Sequence, residues 1–163
     1  MKSVFQLIAP LACAFVMAGC GSAASETKPV VIDPATQVKD NALVATDLTL
    51  GTGTAVAAAN DAVIVTYTGW LYNSAQTDGK GKQFDASKDG AGLSFVLGKG
   101  MVIPGWDRGL VGMKVGGSRR LTIPSDLAYG PSGSLKDSKG VQAIPPYAGL
   151  VFDVTLVSLT KAN

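Results

Sequence analysis

The chain has 163 residues, which suits a single domain, with 14 lysines and arginines against 12 aspartates and glutamates. A net charge of +2 is too small for a nucleic-acid-binding surface, so no nucleic-acid partner is expected. The absence of histidine excludes histidine triads and histidine zinc sites, and both cysteines, Cys13 and Cys20, lie too near the start to crosslink the remaining chain.

Residues 1–19 have the features of an export signal. Lys2 precedes an apolar run from Val4 to Met17 that is too short to span a bilayer, and small residues follow it. The sequence Met17-Ala18-Gly19-Cys20 resembles the bacterial lipobox, in which the cysteine is acylated and becomes the mature amino terminus. We therefore predict a lipoprotein signal peptide over residues 1–19 and lipidation at Cys20, with a plain signal peptide as the alternative.

Residues 20–42 are mostly small and polar and show no sustained helical or alternating pattern, which predicts a flexible tether. The alternative is an N-terminal strand docked on the domain, which Val30 to Ile32 would supply. Gly21, after the lipidated cysteine, is not the aspartate of an inner-membrane retention signal. We therefore expect a domain in the bacterial cell envelope that faces the periplasm, anchored to the outer membrane through lipid alone.

From residue 43 onward the apolar pattern repeatedly has a period of two residues, which indicates β-strands. A loop rich in glycine, lysine and aspartate follows the longest early strand. Polar residues alternate with apolar ones in the later strands, which predicts a sheet with one buried and one solvated face. The five predicted strands lie around Leu43–Leu50, Val63–Tyr72, Leu93–Leu97, Leu121–Ile123 and Leu150–Leu156.

Only residues 104–113 look helical. Pro104 suits the first turn of a helix, and Gly112 lies near its exit. One apolar face follows from three residues at helical spacing: Trp106, Leu110 and Met113. Together the elements predict an antiparallel α+β domain over residues 43–163.

The sequence contains no complete cofactor-binding or catalytic motif of the common kinds. Gly51-Thr52-Gly53 lacks the third small residue of a dinucleotide fingerprint, and Gly98-Lys99-Gly100 lacks the hydroxyl residue that follows the lysine of a phosphate loop. The only glutamate, Glu26, lies in the predicted tether, so no pair of catalytic carboxylates is predicted. Arg119 and Arg120 alternate on a strand, which predicts one paired and one solvated arginine. We expect no cofactor and no metal.

A set of large apolar residues, several followed by glycine or proline, recurs along the domain. On periodicity alone, Phe95, Trp106 and Phe152 could be ordinary core residues. In order, however, the surrounding blocks resemble the FKBP-type peptidyl-prolyl cis-trans isomerases over about residues 43–160. The blocks are Val63–Tyr72, Gly81–Asp85, Phe95–Gly98, Val102–Asp107, Gly112–Gly116, Ile123–Pro124, Ala128–Gly130 and Ile144–Val154.

This resemblance implies an α+β, FKBP-like fold, in which a five-stranded antiparallel sheet wraps around a short helix with a proline pocket between them. It implies an isomerase that accelerates X–Pro bond rotation, here during the folding of exported proteins, without covalent or metal catalysis. The implied ligands are proline-containing polypeptides and macrolides of the tacrolimus and rapamycin type, and a monomer is expected. The alternatives are a chaperone-like, non-catalytic peptide-binding lipoprotein and a structural envelope lipoprotein whose pocket is vestigial.

The resemblance also assigns individual site residues. The Ile103 N–H and the Tyr129 hydroxyl would hold peptide carbonyls, and Asp85 would be the acidic group beside the pocket; these three are the predicted catalytic residues. The predicted substrate-binding residues are Tyr67, Phe84, Phe95, Val102, Trp106, Ile144 and Phe152. On the residues alone, Asp85 could be a turn carboxylate and Tyr129 a packing residue.

Two departures from the family pattern concern loops. The loop between Gly130 and Ile144, which we call the flap, is longer than in compact members, lacks the histidine often found there, and has Ala143 where a larger aliphatic residue is common. A second insertion lies around residues 73–79. The flap would cover the pocket, so its differences bear on substrate preference and macrolide affinity.

Overall fold

The alternating stretches of sequence pair into one antiparallel sheet. The computed structural model describes residues 34–38, 41–87, 91–135 and 140–163. The predicted signal peptide, Cys20, and the Val30–Ile32 segment lie outside the described residues. The strands are β1 (Val44–Thr49), β2 (Ala62–Tyr72), β3 (Lys80–Ala86), β4 (Leu93–Val96), β5 (Ser118–Ile123) and β6 (Leu150–Thr160).

The strand order is β1-β5-β6-β2-β3, and β4 lies outside this order, paired with residues Ala62–Val65 of β2. Every pairing is antiparallel. The two central strands, β2 and β6, are 11 residues long, and Val63 and Val65 are buried while Ile64 between them is exposed. The predicted α+β fold with an antiparallel sheet is confirmed, with six strands in the described residues.

The strand that the sequence pattern missed is β3. It contains one large apolar residue, Phe84, and none of its residues is buried, so its sequence has no alternating apolar face. It lies at a sheet edge and pairs with β2 through two irregularities in register, between Gly69 and Trp70 and between Trp70 and Tyr72. An exposed, bulged edge strand of this kind carries little signal in the sequence.

The single α-helix, α1, comprises Pro104–Gly109 and is shorter than the predicted helix over residues 104–113. Its proline occupies the first turn, as predicted. Beyond Gly109 the chain continues in turns that end with Gly112 at φ 87°, a backbone region that favours glycine. The predicted apolar face is nevertheless buried: Trp106, Leu110 and Met113.

Small residues let α1 lie close against β5. A Cβ added at Gly109 would come within 2.7 Å of Leu121 Cδ2, and one added at Gly105 would overlap the Ile123 side chain. Leu121 and Ile123 are fully buried. The helix therefore rests on one face of the sheet with the hydrophobic core between them.

The two neighbouring arginines are both paired, so the predicted solvated arginine is wrong. Arg119 Nε donates to Asp47 Oδ1 at 2.6 Å, and its Nη1 donates to the carbonyls of Gly109 and Val111 just beyond the end of α1. Arg120 donates to both carboxylate oxygens of Asp153. The cause is register, because Asp47 lies opposite Arg119 in β1 and Asp153 lies opposite Arg120 in β6.

Residues 34–38 belong to the segment that the sequence predicts as tether. In the structure they contact the domain: the Ser74 N–H donates to the Ala35 carbonyl at 2.9 Å, and the Gly149 N–H donates to the Thr36 carbonyl at 2.8 Å. These contacts lie before the boundary predicted at residue 43. Among the described residues, no helix is long and apolar enough to cross a membrane.

Candidate functional site

Five aromatic rings meet between α1 and the sheet. Trp106, in the first turn of α1, lies edge to face with Tyr67 at 5.0 Å between ring centroids and with Phe152 at 5.2 Å. Phe84 lies edge to face with Phe152 at 5.6 Å, and Phe95 is tilted against Trp106 at 5.9 Å. Each such pair contributes about 0.5–1.5 kcal/mol beyond burial, so the cluster is well fixed.

Beside these rings lies an open cavity of about 190 Å³. A cavity of this size holds one small apolar group, since pockets for whole drug-sized molecules measure about 300–1,000 Å³. Its lining residues are Tyr67, Phe84, Asp85, Leu93, Met101, Val102, Ile103, Trp106, Tyr129 and Phe152. The structure thus brings eight of the ten residues predicted for the pocket to one cavity.

The other two predicted residues, Phe95 and Ile144, lie outside the cavity lining. Phe95 is buried behind Trp106, on β4 opposite Val63 of β2. Ile144 is buried too, and its backbone exchanges two hydrogen bonds with Ser134 across the flap, each 3.0 Å long. Phe95 thus supports the cavity wall through Trp106, and Ile144 belongs to the hydrophobic core.

Two lining residues were not predicted, Leu93 and Met101. They are 40% and 61% exposed, and they lie two residues and one residue before a block that resembles the family. Met101 is held in place by its sulfur, which accepts the Val96 N–H at 3.5 Å. Their places shortly before Phe95 and Val102, and the predicted strand that begins at Leu93, are the signals that could have indicated them.

The Tyr67 hydroxyl and the Asp85 carboxylate form a pair at the cavity wall. Tyr67 donates to Asp85 Oδ2 at 2.7 Å, and the Ala86 N–H donates to Asp85 Oδ1 at 2.9 Å. Burial, and secondly the hydrogen bond to Asp85, raises the pKa of Tyr67 to about 12. The hydroxyl therefore remains neutral, and its proton is directed at the carboxylate.

Tyr129 is 42% exposed at the rim of the cavity, just before a 3-10 turn at Gly130–Ser132. Burial of its hydroxyl, with a contribution from the Asp85 charge, raises the pKa of Tyr129 above its ordinary value. The hydroxyl is therefore a neutral hydrogen-bond donor at physiological pH.

A backbone N–H group also borders the cavity. Ile103 is the N-cap residue of α1, with φ −58° and ψ 146°, and its carbonyl accepts the N–H of Trp106 at 2.9 Å. Within the described part of the chain, the Ile103 N–H itself makes no hydrogen bond. It is thus available to a carbonyl that enters the cavity.

Asp107 fixes the loop that leads into this wall. Its two carboxylate oxygens accept the N–H groups of Gly98 and Gly100, each at 2.9 Å. Both glycines have positive φ, 76° and 67°, which other residues adopt at a cost. The loop therefore delivers Val102 and Ile103 to the cavity in a defined position.

The site is a largely aromatic cavity with neutral hydrogen-bond donors and one carboxylate, that of Asp85, in its wall. Trp106 Nε1 is the one buried side-chain nitrogen or oxygen without a hydrogen-bond partner among the described residues. The described ranges contain no group of three or more histidine, cysteine, aspartate or glutamate residues that could hold a metal ion.

Comparison with known proteins agrees with this geometry. The model of the FKBP-type peptidyl-prolyl cis-trans isomerase family matches residues 53–157. An FK506-binding protein of Neisseria meningitidis serogroup B is 47% identical over 98 residues, 60% of this chain and 78% of that protein. FK506-binding protein 4 of Gibberella zeae is 46% identical over 127 residues, 77% of this chain and 23% of that protein.

Solved structures show the same fold. The crystal structure of AtFKBP13 matches with a TM-score of 0.60 and 33% identity, covering 76% of this chain and 96% of that one. A peptidyl-prolyl cis-trans isomerase from Pseudomonas syringae matches with a TM-score of 0.57 and 35% identity, covering 79% of this chain and 84% of that one.

The chain belongs to the family of FKBP-type peptidyl-prolyl cis-trans isomerases. It spans about a quarter of the length of the fungal relatives that it matches, and more than three quarters of the Neisseria protein.

Proposed function

We propose that this protein is a peptidyl-prolyl cis-trans isomerase that binds the proline of a polypeptide in the aromatic cavity. The observation that carries the proposal is the pairing of an apolar cavity of about 190 Å³ with two neutral donors at its margin, the Ile103 N–H and the Tyr129 hydroxyl. This combination suits a pyrrolidine ring flanked by two peptide carbonyls.

Rotation about an X–Pro bond is slow because resonance gives the C–N bond partial double-bond character, with a barrier of about 18–20 kcal/mol. The twisted transition state loses this resonance and with it part of the amide's charge separation. A pocket walled by Trp106, Tyr67 and Phe152 provides little solvation for the planar amide, and so favours the twisted form. A thousandfold acceleration requires only about 4 kcal/mol.

The remaining roles follow from position. Donors at Ile103 and Tyr129 hold the peptide on both sides of the bond, so that the ring stays fixed while the rest of the chain turns. Asp85 accepts a hydrogen bond from the Tyr67 hydroxyl and thereby orients the Tyr67 ring, which forms one wall of the cavity. No proton transfer, metal or nucleophile takes part in these steps.

The test is an isomerisation assay on short X–Pro peptides with the purified protein and three variants. Tyr129→Phe removes one donor and Asp85→Ala frees the Tyr67 ring, and each is expected to lower kcat/KM by about tenfold or more. Tyr72→Phe is the matched control, because Tyr72 lies outside the cavity lining. A folded wild-type protein without rate enhancement on several X–Pro peptides would refute the proposal.

The proposed clients are exported proteins, and the proposed location is the bacterial cell envelope, with a lipid anchor at Cys20 and the domain facing the periplasm from the outer membrane. The support is the sequence Met17-Ala18-Gly19-Cys20 after a short apolar run. Mass spectrometry of the mature protein should find an acylated N-terminal cysteine, and Cys20→Ala should release the protein from membranes. An unmodified amino terminus at another residue would contradict the anchor.

Macrolides of the tacrolimus and rapamycin type are proposed as ligands of the same cavity, since the relatives are named as FK506-binding proteins. The shortened side chain at Ala143 of the flap is expected to weaken this binding relative to compact family members. Competition between the macrolide and a proline peptide, measured by calorimetry, distinguishes a shared cavity from a separate site.

A second candidate function, holding unfolded chains without turnover, has one observation in its favour. Leu135 and Val141 of the flap are 95% and 59% exposed. The two side chains line one open cavity together with Phe84, and contiguous exposed apolar surface is typical of surfaces that contact other proteins. Suppression of aggregation that persists in Tyr129→Phe but disappears in Leu135→Ser would support it.

A further inference from the structure

The segment before β1, residues 34–38 and 41–43, which we call the N-terminal segment, is bonded to the turn between the flap and β6. Gln37 Nε2 donates a 2.6 Å hydrogen bond to the carbonyl of Tyr147, and the Gly149 N–H donates to the carbonyl of Thr36. A Cβ added at Gly149 would overlap the Val38 side chain, so only glycine permits this close approach. The contact is therefore a close and specific one.

Tyr147 joins this segment to the start of the flap. Its own N–H donates a hydrogen bond to the carbonyl of Gly130 at 2.9 Å, while its carbonyl accepts the hydrogen bond from Gln37 Nε2. Tyr147 has φ 59°, a left-handed conformation that is unfavourable for a tyrosine and that needs support from its surroundings. Hydrogen bonds on both sides of this residue supply that support.

The N-terminal segment is connected by hydrogen bonds to the chain both before and after Tyr129. Gly130, which follows Tyr129 directly, is bonded to Tyr147. Asp126 lies in the 3-10 turn Ser125–Leu127 that precedes Tyr129, and its Oδ2 accepts the side-chain amide of Asn41 at 2.9 Å. The segment thus contacts the turn before Tyr129 and, through Tyr147, the turn after it.

We infer that Gln37 is a positioning residue for Tyr129, which it holds through the Tyr147 peptide and Gly130. The inference rests on the proposed role of the Tyr129 hydroxyl in holding a substrate carbonyl. A donor that must meet a carbonyl within hydrogen-bond distance loses much of its effect when its backbone shifts by a few tenths of an ångström. The N-terminal segment thereby sets the geometry of a rim that is distant from it in sequence.

The first test is a double-mutant cycle in the full-length protein. Gln37→Ala is expected to lower kcat/KM by about threefold to tenfold, whereas Gln76→Ala, a change of an exposed glutamine in the loop at residues 73–79, leaves it unchanged. In a Tyr129→Phe background the effect of Gln37→Ala should fall below about 1.5-fold. An equal loss in both backgrounds, or no loss in either, overturns the inference.

The second test does not depend on catalysis. In Gln37→Ala, and equally in Gln37→Glu, which keeps the side-chain shape but lacks the amide donor, the Tyr147 amide should exchange with deuterium at least fivefold faster than in Gln76→Ala. The Tyr129 ring resonances should shift in the same two variants. Unchanged exchange and resonances refute the inference even if the isomerase is active, whereas an inactive wild type with these changes refutes only the proposed function.

Discussion

The Tyr67 hydroxyl, on a central strand, donates a 2.7 Å hydrogen bond to the carboxylate of Asp85 on the edge strand β3. In the β2–β3 ladder Asp85 lies opposite Gly69, two residues beyond Tyr67. An edge strand with a single large apolar residue is thus tied to the cavity wall by a polar contact. The raised pKa of Tyr67 also makes the ionisation of this wall residue measurable.

We predict that Tyr67 ionises late and that its ionisation is linked to unfolding. Its pKa is raised to about 12, first by burial and then by the hydrogen bond to Asp85. Because the neutral form is favoured in the folded state, the stabilisation is complete below about pH 10 and is lost as the pH rises to about 12. Absorbance titration should show a phenol ionising near pH 12 that disappears in Tyr67→Phe but persists in Tyr129→Phe, and the absence of such a phenol from the wild type would contradict the prediction.

We predict that Gly69→Ala damages the cavity directly. The added Cβ would lie 2.6 Å from Phe152 Cε1 and 2.9 Å from Phe84 Cζ, so both rings must move. Overpacking of this kind costs about 1–3 kcal/mol of stability. Proline-peptide binding, measured by calorimetry, should weaken by at least about tenfold.

Gly109→Ala is the control for that variant. Its Cβ would meet Leu121 Cδ2 at 2.7 Å, on the side of the helix that faces β5, and Gly109 does not line the cavity. It should lower the melting temperature by a comparable amount while leaving peptide affinity within about twofold. Equal losses of affinity in the two variants would show that general destabilisation explains the effect of Gly69→Ala.

A third prediction concerns the buried carboxylate of Asp61. It accepts the Lys161 ammonium at 2.7 Å and the N–H groups of Ala162 and Ala58 at 3.0 and 2.8 Å. The Lys161 hydrogen bond, followed by that from Ala162, lowers the pKa of Asp61 to about 2. Its stabilising effect is therefore present above the ordinary aspartate pKa near 4 and is lost as the pH falls to about 2.

Urea denaturation of Asp61→Asn against the wild type measures this effect. The midpoint should be lower for the variant at pH 7, and the difference should shrink between pH 4 and pH 2. Lys161→Met should show the same pH dependence with a smaller amplitude, because the two backbone donors to Asp61 remain. A difference that is constant from pH 7 to pH 2 would exclude ionisation of Asp61 as its cause.

Much of the fold could be predicted because its central elements carry local patterns. Val63 and Val65 alternate with polar or exposed neighbours on β2, and Trp106, Leu110 and Met113 mark one face of the helical region. The helix itself ends early, at Gly109, but the turns that follow keep the last two of these residues inside. Periodicity therefore located the core better than it located the ends of elements.

The features that escaped prediction depend on contacts between distant parts of the chain. β3 becomes a strand because it pairs with β2, and the segment with Gln37 is held by the loop around Tyr147, more than one hundred residues away. Likewise, Leu93 at the start of β4 and Met101 in the loop before α1 line the same cavity only because the fold brings these two places together. Neither partner of such a contact carries a local signature of it.

The last prediction separates the two tryptophans. Trp106 lies edge to face with Tyr67 and Phe152 in the cavity wall, and its indole N–H has no partner among the described residues, so Trp106→Phe removes ring area but no hydrogen bond. Trp106→Phe should therefore weaken proline-peptide binding by about threefold to tenfold, and Trp106→Leu, which also removes the aromatic contacts, by more than tenfold.

Trp70→Phe is the matched control for these variants. Trp70 lies outside the cavity lining, with the Lys80 ammonium 4.0 Å from its ring centroid, and its replacement should leave peptide affinity unchanged. Calorimetric dissociation constants for one X–Pro peptide decide the matter, and an equal effect at both tryptophans would mean that the cavity beside Trp106 is not where proline binds.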